Sequence, residues 1–186
     1  MNVIERCKMK TVFLAMLGAS LLLTSGRSQG LTMDDLRKTP NLTPQKFARR
    51  FSAFRYEYGV ETQSPNSFLA KEAGDCDDFA LVASIIFTEK GYHPRLISVR
   101  LHNVSHVVCY FPETRSYIDY NDRGYLFNTT SSDGTLPDIA RKVAKSLGLD
   151  WSSAAEFYFV DGSRELVARE ENPRDLLAAR RKASQS

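Results

Sequence analysis

The chain has 186 residues, of which 42% are apolar and 25% charged. That is the make-up of one ordinary globular domain, and it excludes collagen, low-complexity disorder and a multi-span membrane protein. Three cysteines are too few for a disulfide scaffold. The net charge of +3 is carried by Arg6, Lys8, Lys10 and Arg27 against Glu5, so residues 31–186 are balanced. A nucleic-acid partner is not expected, because a body without net charge offers no basic field to phosphates.

The N-terminus has the three parts of a secretory signal. Arg6, Lys8 and Lys10 precede an apolar run from Thr11 to Leu23, and small and polar residues follow to Gly30. The run is shorter than the roughly 20 residues a spanning helix needs. Residues 1–30 are therefore expected to be a cleaved signal peptide, leaving no stable membrane anchor. Residues 31–186 are expected to form one exported domain, periplasmic or secreted, in an oxidising compartment.

Residues 31–43 read as a polar lead. Thr43-Pro44 is a helix start, and Phe47, Phe51 and Phe54 at helical spacing predict a helix to about Tyr58, stopped by Gly59. Ser64-Pro65 opens a short helix that ends near Gly74. Asp75 begins the next, which is apolar nearly all round and closed by Gly91, the pattern of a buried helix. After Pro94 the period becomes strand-like over 96–101, 105–111, 116–122 and 125–127, and the short breaks predict antiparallel pairing. An amphipathic helix over 137–147, a hairpin of 157–160 and 166–168 about Asp161-Gly162, and a helix over 173–182 complete the chain. Helices followed by strands give an α+β class.

The chemistry gathers around Gly74-Asp75-Cys76-Asp77-Asp78-Phe79-Ala80. Cys76 falls in the first turn of the most buried helix, where free N–H groups and the helix dipole favour a thiolate. His106 stands at the start of an apolar strand, on one face with Val108 and Tyr110, while Val107, Cys109 and Phe111 take the other. Asp119 follows on the next strand, with Asn121 and Asp122 as rivals for the same role. Cysteine, histidine and acid in this order form a relay in which the acid fixes the imidazole tautomer. Cys109 reads as core packing, and a Cys76–Cys109 disulfide is its alternative after export. Asp75 and Asp78 read as helix caps.

These stretches, GDCDDFALVASIIFTEKGY, SHVVCYF and YIDYND, resemble the transglutaminase-like superfamily, and within it the bacterial transglutaminase-like cysteine peptidases. The likeness covers about residues 45–128, leaving 129–186 as a helix-and-hairpin extension. It implies a papain-like core with the nucleophile helix packed on an antiparallel sheet. It also implies Cys76 as nucleophile, His106 as base and Asp119 as orienting acid. Ser64 to Leu69 looks like the family's short helix ahead of the cysteine. The family often has Trp before that Pro pair, and here Gln63 stands in its place, a candidate oxyanion donor. Some relatives bind calcium beside the nucleophile, which makes Asp75, Asp77 and Asp78 the calcium candidates. No other cofactor is expected. The implied activity is hydrolysis of protein or peptide amides through a thioester. Transglutaminase-type acyl transfer and a non-catalytic peptide-binding module of the same fold are the alternatives.

Overall fold

A computed structural model describes residues 30–183. The expected signal peptide, apart from Gly30, lies outside the described residues. Six strands form one antiparallel sheet in the order β6-β5-β4-β3-β7-β8. They are β3 (Arg95–Leu101), β4 (Val104–Phe111), β5 (Ser116–Ile118), β6 (Thr129–Ser131), β7 (Ser153–Val160) and β8 (Ser163–Glu171). The strands β1 (Arg55–Tyr56) and β2 (Ala73–Gly74) make a separate parallel bridge. The α+β expectation holds, with the helix that begins at Cys76 packed on an antiparallel sheet.

Each face of the sheet buries its own core, because successive strand residues point to opposite sides. On one face, Leu96, Val107, Cys109, Phe111 and Phe157 pack under α1 (Met33–Lys38), α2 (Pro44–Arg50), α3 (Pro65–Lys71) and α4 (Cys76–Glu89). On the other, Ile97, Val99, Val108 and Tyr110 pack under α5 (Leu136–Leu147), with Trp151 beside them. The helix α6 (Pro173–Ala183) follows β8. Phe47, Phe51, Phe68 and Phe79 are fully buried and meet ring to ring, Phe51 and Phe79 edge-on at 5.1 Å. Burying each such ring contributes about 1.5–3 kcal/mol, and each edge-on pair about 1 kcal/mol beyond that.

Several boundaries differ from the sequence reading. The polar lead contains α1, capped by a reciprocal Thr32–Asp35 box and anchored by buried Met33 and Leu36. The helix at Pro44 ends at Arg50 rather than near Tyr58. Phe51 and Phe54 stay in the core, but the chain is drawn off by the bridge to β2, where Arg55 N donates to Glu72 O and Glu57 N to Gly74 O. Strand β5 ends at Ile118, not Asp122, and residues 119–123 turn. Residues 125–127 are an exposed loop rather than a strand, and 129–131 supply the pairing instead. The Arg123 guanidinium fixes that turn by donating to the carbonyls of Phe51, Tyr120 and Phe54. The C-terminal hairpin is longer than expected, and every residue of β8 is exposed.

Candidate active site

Cys76 is the first residue of α4, and local chemistry fixes it there. Asp75 caps the helix: its Oδ1 accepts the Asp77 N–H, and a capping box joins it to Asp78. Asp78 is buried and accepts from Asp75 N at 3.1 Å and from Gln63 N at 2.6 Å. Gly74 is required by close approach: a Cβ there would collide with the Phe68 ring and the Asp78 carboxylate.

The ending of β5 at Ile118 opens a gap beside β4, since their pairing runs only from Cys109 to Phe111. The N-terminus of α4 fills that gap. The Val107 backbone N–H, which no β5 residue takes, donates to Cys76 Sγ at 3.4 Å. Beside it, His106 Nε2 lies 2.8 Å from Asp119 Oδ2. That bond leaves Nδ1 as the other ring nitrogen, and the Cys76 thiol lines the same cleft as the ring. Cys76 and His106 are each 7% exposed and Asp119 3%. Burial opposes a charge on His106, but the bonds and charges of Asp119 and Cys76 outweigh it and push the ring up to about 10.

The structure thus brings Cys76, His106 and Asp119 together. Asn121 gives its backbone N–H to Asp119 Oδ1 at 2.8 Å, bracing the acid. Burial and the charge of Asp119 raise the Asp122 carboxyl. Gln63 is placed differently from an oxyanion donor. Its Nε2 donates to Ala73 O at 3.1 Å and to Asp78 Oδ2 at 2.8 Å, so both amide hydrogens are engaged. The caps of α4 use the N–H groups of Asp77 and Asp78 and do not use that of Cys76. Cys76 and Cys109 are both free, and burial alone raises the Cys109 thiol. Trp151 belongs to the core.

Cys76 opens on a cleft of about 880 Å³. One wall is the loop from Tyr56 to Thr62, and the other joins the end of the β3–β4 hairpin to the tip of the β7–β8 hairpin. From that tip Arg164 makes an ion pair with Asp77 and lies over the Phe157 ring at 4.9 Å. Burial raises the Asp77 carboxyl, and Arg164 counteracts it. The sequence reading missed Arg164, because nothing local links residues 87 positions apart. Asp75, Cys76 and Asp77 hold ligand atoms within 4.8 Å of one another, a group able to take a cation. Its two carboxylates suit a hard ion such as calcium, which needs six or more oxygens in all.

No family model matches the chain, and no curated protein matches it. Among solved structures, the fold is similar to calcium-bound LapG from Legionella pneumophila. The match has 22% identity and a TM-score of 0.46, covering 80% of this chain and 84% of that one. Among the described residues no helix is long and apolar enough to cross a membrane.

Proposed function

We propose that this protein is an exported cysteine hydrolase that cleaves protein or peptide amides. The observation that supports the reading is His106 bonded to Asp119 at 2.8 Å, with Cys76 Sγ accepting from the N–H of the neighbouring Val107 and lining the same cleft as His106. A thiol, an imidazole and a carboxylate gathered at one cleft are the parts that acyl transfer needs. Their place in an 880 Å³ cleft gives a substrate access to the sulfur.

Transfer of the Sγ proton to His106 gives a thiolate–imidazolium pair, in which Asp119 favours the charged ring and the helix N-terminus and the Val107 N–H favour the thiolate. The thiolate attacks the amide carbonyl carbon. The Cys76 N–H is the donor positioned for the oxyanion. As the C–N bond breaks, the imidazolium gives its proton to the leaving amine, and an acyl thioester remains on Cys76. His106 then takes a proton from water, which attacks the thioester, and the acid and the free thiol are released. Asp119 holds the ring in register throughout and stabilises its charged form.

Asp75 and Asp77 would hold a calcium ion through carboxylate oxygens. Such an ion supplies fixed positive charge beside the thiol. Export rests on the basic and apolar N-terminal segment.

Cys76→Ala tests the reading. Wild-type protein should generate new N-termini from a denatured protein mixture, and the variant should generate none while keeping its melting temperature. Ammonia release with incorporation of a labelled amine would instead establish acyl transfer. Tight peptide binding with an unreactive Cys76 would establish a binding module.

A further inference from the structure

On the face of the sheet that carries α4, the helix covers Val107 and Cys109 but begins only at Cys76. Past that point no helix among the described residues covers this face. Two cross-strand rows lie there: Ser105, Arg100, Ser153 and Glu171 in one, Ser98, Ala155 and Arg169 in the next. They floor a groove of about 490 Å³. Arg100 and Ser105 also line the cleft of Cys76, so groove and cleft are continuous. Serine and alanine keep the floor low, and an extended chain can lie against it.

The charges of this surface are unevenly satisfied. Arg164 is paired with Asp77, and Arg169 with Glu171 at 2.7 Å. His106 is paired with Asp119. Arg100 is exposed at the junction of groove and cleft, and no carboxylate partners it among the described residues. An arginine held on a strand and left without a counter-ion is a ready fork for a carboxylate.

We infer that Arg100 is a specificity-determining residue: the substrate is a polypeptide whose acidic side chain seats on Arg100 while its backbone runs from the cleft along the serine-lined groove. This rests on the hydrolase reading for its substrate class, but its test does not need turnover. The binding partner is the Cys76→Ala protein, and the probes are two fluorescein-labelled decapeptide pools. Both are random except at the two central positions, fixed as Glu-Glu in one and Gln-Gln in the other.

The Glu-Glu pool should bind at least fivefold tighter at low ionic strength, and the gap should shrink at 0.5 M salt. Adding Arg100→Glu should remove or reverse the gap, and Arg100→Lys should keep part of it. Pools that bind within twofold of each other, or a gap that survives Arg100→Glu, would overturn the inference. Wild-type turnover of both pools is measured in parallel. Selective binding without turnover would sink the hydrolase reading and leave Arg100 as an acid-binding residue. Turnover with no acidic preference would do the reverse.

Discussion

Asp119 touches His106 at Nε2, not Nδ1, at 2.8 Å. An imidazole gripped at Nε2 by a buried carboxylate keeps only Nδ1 for a second partner. Asp119→Asn keeps the shape of this contact but removes its charge. Its kcat/KM should fall about a hundredfold or more, with KM nearly unchanged. Activity within threefold of wild type would show that Asp119 only packs.

The raised ring of His106 also makes stability depend on pH. Its affinity for a proton is greater in the folded chain than in the unfolded one, where the value is 6.5 against about 10. The stabilisation is therefore fully present below pH 6.5 and is lost as pH rises through about 10. The melting temperature of wild type should fall between pH 7 and 10 more steeply than that of His106→Gln. Parallel curves would contradict the charged ring.

Asp78 holds the nucleophile helix from behind. It is buried and accepts from Gln63 N, Gln63 Nε2 and Asp75 N. Asp78→Ala leaves those donors without their acceptor, at about 3 kcal/mol. For a chain of this size that is a drop of roughly 6–12 °C in melting temperature. Calorimetry measures it, and a loss below 2 °C would mean that water replaces the carboxylate.

The Arg164–Asp77 pair is partly exposed, with side chains at 38% and 22%. Its removal in Arg164→Gln should cost only about 0.5–1 kcal/mol. The larger effect should be on cation binding. With Asp77 released, millimolar calcium should raise the melting temperature of Arg164→Gln more than that of wild type. Equal shifts would place calcium elsewhere or nowhere.

What could be read from the sequence was what depends on near neighbours. Cys76 at a capped helix start follows from Asp75 and Asp78 within one turn, and His106 on the face of Val108 follows from strand alternation. Local signals also misled. Phe51 and Phe54 keep helical spacing, yet a bridge to β2 ends the helix before them. The polar composition of 31–43 hid α1, because six residues need only Met33 and Leu36 to anchor them. Glu165, Arg169 and Glu170 masked the length of β8, since an exposed strand has no apolar alternation to show. Gln63 was read for its donors without sight of Asp78, which accepts from both its backbone and its side chain.

The last strand leaves the protein with a problem of colloid chemistry. Among the described residues no strand pairs with the outer side of β8, and such an edge is the template on which foreign strands accrete. The register slips opposite Glu156 and Phe157, which bends the ribbon, and arginines and glutamates crowd both ends. An approaching strand would meet a kinked edge and mismatched charge. So shaped, the edge is a poor template for a foreign strand, and straightening that kink should make concentrated solutions turn cloudy.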